Sequence, residues 1–162
     1  MRICYLINNT ELLVGANKVI FENANGLSKK GHDTRIVSYS ESPSWYKLHV
    51  SIIKVPKDQH LSDYVPKSDV VVCTQYNNSI ETIRAAKKWN AIPFYFFQGN
   101  NAIFGYDRFN FGLAKYEREL AINAMKIPFY QVICSSKYSQ KILFDKFSIK
   151  SVLVESSIDK KV

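Results

Sequence analysis

The chain has 162 residues, 46% of them hydrophobic, and its formal net charge at pH 7 is +8. That length suits one domain with a sizeable core, and that hydrophobic content excludes wholesale disorder. No apolar run approaches the roughly 20 residues that span a bilayer, and the N-terminus lacks the basic and apolar regions of a signal peptide.

The first thirty residues form a strand–turn–helix unit. Residues 2–7 are typical of a buried strand, a loop leads to Gly15, and residues 16–30 follow a helical pattern that Gly31 ends. Such a unit directs the free N–H groups of the helix at whatever lies beyond the strand. The sequence therefore predicts a phosphate or sugar-hydroxyl site near Gly15.

Strands and helices alternate through the rest of the chain. Asn78 and Glu81 form a capping-box pattern at the start of one helix, and Ser136 is the predicted N-cap of another. Residues 56–66 are predicted to be a loop. The other predicted strands are 34–39, 50–55, 69–74, 93–97, 130–134 and 151–154, and the other predicted helices are 79–89, 111–125 and 137–147. The alternation predicts a single α/β domain with a doubly wound, mostly parallel, Rossmann-like sheet.

The turns that follow the predicted strands are polar. In doubly wound sheets ligands bind beyond the carboxyl ends of the strands, and neutral amides both donate to and accept from sugar hydroxyls. The candidate substrate-binding residues are Gly15, Ala16, Asn17, Gln75, Asn77, Gln98, Gly99, Asn100, Ser135 and Lys137. Gly15 is otherwise explained by a tight turn, the amides by ordinary surface loops, and Ser135 and Ser136 by helix capping.

The net charge and the positions of the cysteines indicate which partners the chain could bind and where in the cell it is located. The positive charge favours a membrane surface, a phosphorylated substrate or a nucleic acid, although a solvated basic surface would also explain it. Without an arginine-rich arm or an aromatic RNA-binding motif, nucleic acid is not expected. The three cysteines lie in apolar runs without metal-ligand spacing. We therefore expect buried thiols, no metal site and a cytoplasmic location, with peripheral contact at an anionic inner membrane left open.

Four segments in order resemble the N-terminal half of the GT-B glycosyltransferases, specifically the large retaining family 4. The first is Gly15-Ala16-Asn17-Lys18-Val19 with Glu22, Ala24, Leu27 and Gly31-His32; the others are Asp69-Val70-Val71-Val72, Ile92-Pro93-Phe94-Tyr95 with Gln98-Gly99, and Val132-Ile133-Cys134-Ser135-Ser136-Lys137-Tyr138. The resemblance covers about residues 1–158. The sequence departs from it at Gly15, where the family often has Gly-Gly, and at Gln98, where a histidine near the donor sugar is common.

The resemblance implies transfer of a sugar from a nucleotide sugar to a hydroxyl of a glycan or lipid-linked acceptor, in polysaccharide or glycolipid synthesis. It implies no metal and no cofactor, with the nucleotide sugar as co-substrate. Residues 1–158 would be the acceptor-side domain, half of a GT-B architecture, and 159–162 the start of a linker to a C-terminal donor domain. Without that partner domain the chain is expected to be inactive, and no catalytic residue is identified.

Two other functions fit parts of the pattern. Glu41, just after the second strand, lies where a ribose-binding acid of a nucleotide-binding oxidoreductase would lie, but the first turn lacks Gly-x-Gly-x-x-Gly. A non-catalytic basic α/β binding module is the other alternative, because a fold does not fix a function. Binding of NAD or tight binding of a protein would distinguish these from the transferase.

Overall fold

Seven parallel strands form the centre of the computed structural model, which describes residues 1–99 and 112–155. In chain order the strands are β1 (Arg2–Ile7), β2 (Asp33–Ser38), β3 (Ser51–Lys54), β4 (Val70–Cys73), β5 (Ile92–Phe97), β6 (Gln131–Cys134) and β7 (Val152–Leu153). They lie in the order β3-β2-β1-β4-β5-β6-β7, and each neighbouring pair is parallel. The predicted doubly wound parallel sheet is confirmed.

Helices lie on both faces of the sheet and connect all successive strands except β2 and β3. They are α1 (Gly15–Lys29), α2 (Leu61–Tyr64), α3 (Ser79–Trp89), α4 (Gly112–Met125) and α5 (Lys137–Phe147), with a 3₁₀ turn at Tyr76–Asn78. The chain adds β2 and β3 to one side of β1 and β4 to β7 to the other. The strand order thus reverses between β1 and β4, and a crevice opens at such a switch point, beyond the carboxyl ends of the strands.

Alternate residues of β1 serve the two faces of the sheet, as the period of two requires. Ile3 and Tyr5 belong to the same buried cluster as Phe21 of α1. Cys4 and Leu6 point the other way, into a cluster that contains residues of α2 and α3. A third cluster joins β5 and β6 to α4 and α5. Because β1 is covered on both faces, its near-continuous apolar sequence is explained.

The three cysteines are free, buried thiols, as the sequence predicted. Cys4 and Cys73 are each fully enclosed in the core. Burial raises the pKa of both thiols to about 12, because a thiolate is poorly solvated there. Cys4 and Cys73 are therefore packing residues rather than nucleophiles at neutral pH.

The structure corrects two local predictions and confirms two others. The segment 56–66 contains the short helix α2, and the capping box at α3 does not form. Asn78 makes no side-chain cap, and Glu81 instead accepts a hydrogen bond from the Ser62 N–H at 2.9 Å. A contact with a residue remote in sequence therefore replaces the predicted capping box. By contrast, Ser136 caps α5, and Gly31 has the left-handed φ of 87° that ends α1.

The prediction that residues 159–162 begin a linker lies outside the described residues. Among the described residues, no helix is long and apolar enough to cross a bilayer.

Candidate functional site

A cavity of about 280 Å³ opens at the switch point. We call it the site cavity; its walls are Ala16, Thr74, Gln75, Tyr76, Asn77, Tyr95, Gln98 and Gly99. These residues come from the start of α1, the turn after β4 and the end of β5. Segments that are remote in sequence therefore meet at the crevice where α/β sheets bind ligands.

Half of the predicted binding residues line this cavity. Ala16, Gln75, Asn77, Gln98 and Gly99 are its walls, and Gly15 lies one residue before Ala16. Asn17, Ser135 and Lys137 are described by the structure but do not line it. Asn100 lies outside the described residues. The sequence did not identify Thr74, Tyr76 and Tyr95. Tyr95 belongs to a strand whose sequence is typical of the core, and in the turn after β4 only the amide residues were selected as candidates.

Asn17 is a structural brace of the loop between β1 and α1. It is 1% exposed, and its Nδ2 donates to the carbonyl oxygens of Asn9 at 2.9 Å and Leu12 at 3.0 Å. Its Oδ1 is buried and has no hydrogen-bond partner within the described part of the chain. Asn17 therefore supports the site by fixing the loop that leads to Gly15.

A second set of bonds ties this loop to the segment after β2. Ser40 Oγ accepts from the Thr10 N–H at 2.7 Å and lies 2.9 Å from Thr10 Oγ1. Trp45 Nε1 donates to the Glu11 carbonyl at 3.1 Å. Together with the bonds of Asn17, these contacts fix residues 9–12 of the loop that leads to the N-terminus of α1, beside the site cavity.

The N-terminus of α1 carries unpaired backbone donors. Val14, its N-cap, makes no side-chain cap, and the first turn contains no acidic residue. For the N–H groups of Gly15, Ala16 and Asn17, the described residues supply no acceptor. Such a helix end favours oxygen acceptors and anions.

Gly15 is not required by the local packing. A Cβ built on it would meet nothing within 4 Å, and its backbone is helical. The explanation of Gly15 as a tight turn is therefore wrong. What the missing side chain provides is open access to the helix N-terminus.

The turn after β4 is anchored to β1 by its own polar side chains. Thr74 Oγ1 donates to the Leu6 carbonyl, and Asn78 Nδ2 donates to the same oxygen at 3.1 Å. Asn78 is 2% exposed, and its own carbonyl accepts from Thr82 Oγ1 at 2.8 Å. These bonds hold the intervening Gln75 and Asn77 at the cavity wall.

The lining of the site cavity combines amides, a hydroxyl and two tyrosines, and it is uncharged at neutral pH. Burial raises the pKa of Tyr95 well above its usual value, and burial, then Glu117, raises that of Tyr76. Both phenols therefore stay protonated. Gln98 Nε2 is buried and has no acceptor among the described residues. Such an orphaned donor is costly unless a ligand or water satisfies it. The arrangement suits hydrogen bonding to a neutral, hydroxyl-rich group.

Two other kinds of site bear on the function, a metal centre and a nucleotide-cofactor pocket. Within residues 1–99 and 112–155, no cluster of three or more His, Cys, Asp or Glu side chains could hold a metal ion. Glu41, the candidate ribose-binding acid, pairs with Lys54 at 2.6 Å between Glu41 Oε1 and Lys54 Nζ. The hydrogen bond from Lys54 lowers the pKa of Glu41. Its carboxylate is thus engaged by an ammonium at the edge of the sheet.

Comparison with solved structures reveals the same fold in longer proteins. HepE from Anabaena, solved with UDP-glucose, aligns with a TM-score of 0.71 and 14% identity over 98% of this chain. A glycosyltransferase from Rickettsia africae aligns with a TM-score of 0.62 and 17% identity over 95% of it. The oxidoreductase YlbE from Lactococcus lactis aligns over 83% with a TM-score of 0.51 and 10% identity.

The chain has the same doubly wound fold as part of each of these proteins. The chain spans 44% of the length of HepE and 42% of the Rickettsia protein. No family model matches the chain, and no curated protein does. At these identities the likeness shows the fold alone, and the presence of an oxidoreductase with the same fold illustrates why the function must be argued from the site.

Proposed function

We propose that this chain is the acceptor-side lobe of a family 4-like GT-B glycosyltransferase that acts in polysaccharide or glycolipid synthesis. The observation that carries the proposal is the site cavity itself. Gln75, Asn77 and Gln98 line it from two turns, beside the uncapped N-terminus of α1. A pyranose ring offers the alternating donors and acceptors that neutral amides bind best.

The reaction proposed for the complete enzyme is glycosyl transfer. The acceptor oxygen forms a bond to the anomeric carbon while the bond from that carbon to the diphosphate breaks. The acceptor hydroxyl loses its proton, and the nucleoside diphosphate leaves with the electron pair. In this lobe, the backbone donors of Gly15 and Ala16 would stabilise negative charge, and the amides would position hydroxyls. No metal or cofactor is part of the proposal.

The likeness to HepE supports this assignment, because that protein was solved with UDP-glucose. A nucleotide sugar and a glycan or lipid-linked acceptor are accordingly the proposed small-molecule partners, and a second lobe is the proposed domain partner. The proposed location is the cytoplasm. The chain by itself is proposed to fold without catalysing transfer.

Saturation-transfer NMR of the purified chain tests the proposal with methyl hexosides, a panel of nucleotide sugars and NAD as probes. We expect binding of a sugar, weakened by Gln98→Ala and by Asn77→Ala. Asn123→Ala removes an amide on α4 outside the cavity and serves as the matched control. Sugar binding that survives both cavity substitutions, or binding of NAD alone, would contradict the proposal. Sugar transfer by the isolated chain would contradict the proposed need for a second lobe.

A further inference from the structure

A groove of about 350 Å³ runs along α5 at the β7 edge of the sheet. We call it the α5 groove; it is lined by Lys137, Gln140, Lys141, Phe144, Ile149, Lys150 and Ser151. None of these residues lines the site cavity. The α5 groove is therefore a separate surface, which the proposed transfer reaction does not use.

The α5 groove is strongly basic. Its three lysines are exposed, and the segment 137–154 contains four lysines and a single acid, Asp145. Asp145 Oδ2 lies 3.4 Å from Lys141 Nζ, with both side chains open to solvent. Such an exposed i,i+4 pair is weak. Asp145 offsets one of the four lysine charges, so the segment keeps a net positive charge. The groove contributes a concentrated part of the net charge of +8.

Apolar side chains are exposed among these lysines. Phe144, on the groove wall, is 56% exposed, and Tyr138 on the same helix is 58% exposed. An exposed aromatic ring on the wall of a lysine-lined groove favours an interaction site over a solvated helix face.

The type of cation indicates the kind of partner. Segment 137–154 contains lysines but no arginine. Bidentate recognition of a carboxylate or phosphate in a folded partner favours arginine, whereas lysine acts as a point charge on a flexible stem. Lysines that extend past exposed aromatic rings suit a diffuse anionic surface with an apolar layer beneath it. A bilayer with anionic headgroups has this structure.

We propose that the α5 groove and the neighbouring edge of β7 form a peripheral contact with an anionic phospholipid bilayer. Lys137, Lys141 and Lys150 bind headgroup phosphates, and the Phe144 ring enters the interfacial layer. Helix α5 begins directly after β6, at the same carboxyl edge of the sheet as the site cavity. The contact therefore holds the cavity close to the membrane surface.

Flotation with lipid vesicles tests this contact on the 162-residue chain. The vesicles contain phosphatidylcholine alone or with roughly 30 mol% phosphatidylglycerol. We expect binding only to the anionic vesicles, and we expect it to weaken when salt rises from about 0.1 M to about 0.5 M. Replacing Lys137, Lys141 and Lys150 together with Gln should weaken binding about a hundredfold, at about fivefold for each lysine. Phe144→Ser should weaken it about fivefold.

A matched control carries Gln at Lys30, Lys57 and Lys67, which are exposed and lie away from α5. It has the same net charge as the triple variant and should bind like the unaltered chain. Equal losses in both triple variants, or no binding to anionic vesicles, would overturn the proposal. Binding of an oligonucleotide or an acidic protein at the groove without vesicle binding would also overturn it. Thermal melts confirm that each variant is folded, and sugar binding at the site cavity is unaffected by either outcome.

Discussion

The turn after β4 and the turn after β6 look alike in sequence, yet the structure uses them differently. Both are short, polar and placed where a parallel strand gives way to a helix. In the first, Thr74 and Asn78 bind the Leu6 carbonyl, and the residues between them line the site cavity. In the second, Ser136 accepts from the Ser139 N–H at 3.1 Å and caps α5.

The difference comes from position in the sheet. The turn after β4 faces β1 across the point where the strand order reverses, and α1 stands opposite it. The turn after β6 has β5 and β7 as neighbours, which extend the sheet in one direction. A polar turn becomes a cavity wall when a crevice opens beside it, and otherwise its side chains satisfy the nearest helix.

The largest effect on stability is expected for Asn78→Ala. The substitution removes the buried bond to the Leu6 carbonyl and leaves space in the turn, so the free energy of unfolding should fall by about 2 kcal/mol. Urea denaturation measures this. The neighbouring Asn77→Ala, at an exposed position, should change stability by less than about 0.5 kcal/mol. Equal losses in the two variants would mean that the turn has no anchor at Asn78.

A smaller loss is expected at the second turn. Ser136→Ala removes the N-cap of α5 and should cost about 1 kcal/mol without altering sugar binding. Ser136→Asp should keep most of the stability, because its carboxylate also accepts from the first turn of the helix. If Ser135→Ala cost as much as Ser136→Ala, the capping role of Ser136 would be wrong.

A pH-dependent effect is expected at the opposite end of β1 and β4. Asp69 accepts hydrogen bonds from the Arg2 side chain and from the Arg2 N–H, the latter at 2.8 Å. The side-chain bond from Arg2, then the backbone bond, lowers the pKa of Asp69 from 3.8 to about 2. The lower folded-state pKa stabilises the fold above pH 3.8, and this contribution is lost as the pH falls towards 2.

Asp69→Asn should therefore lower the melting temperature slightly at neutral pH, and the deficit should shrink as the pH falls from about 4 to about 2. Thermal melts of both proteins across that range measure it. A deficit that grows on acidification would mean that the Arg2 contacts do not favour the ionised form of Asp69.

The smallest effect on stability is expected for Gly15→Val. A side chain at Gly15 meets open space, so stability should change by less than about 0.5 kcal/mol. The side chain should nevertheless crowd the N-terminus of α1 and weaken sugar binding, with Gly15→Ala intermediate. NMR titration and urea denaturation of both variants provide the comparison. Parallel losses of binding and stability would assign Gly15 to the fold alone.

The fold was largely accessible from the sequence, because long apolar runs and helical periodicity depend on local pattern. The seven strands and the main helices lie within a few residues of their predicted bounds. The short helix α2 was missed, since it is only four residues long and lies between two prolines. The predicted capping box failed because Glu81 found the Ser62 N–H, a partner that no local pattern identifies.

The candidate site was only partly accessible. Amides at the carboxyl edge could be found, because parallel strands end at a common edge. The sequence could not show that Ala16 lines the cavity while Asn17 is buried under the loop. The burial of Asn17 depends on how the loop folds back over α1. The place of Ser135 and Lys137 outside the cavity depends on strand order, which the alternation of elements does not specify.

The most direct test of the proposed sugar site at the switch point is a titration of the chain with the tightest-binding sugar. NMR would follow the chemical shift of each backbone amide. We predict that shifts concentrate at Ala16, at 75–77 and at Gln98 and Gly99, while 135–137 stay unchanged. Shifts that centre on 135–137, or that scatter over both edges of the sheet, would contradict a sugar site at the switch point.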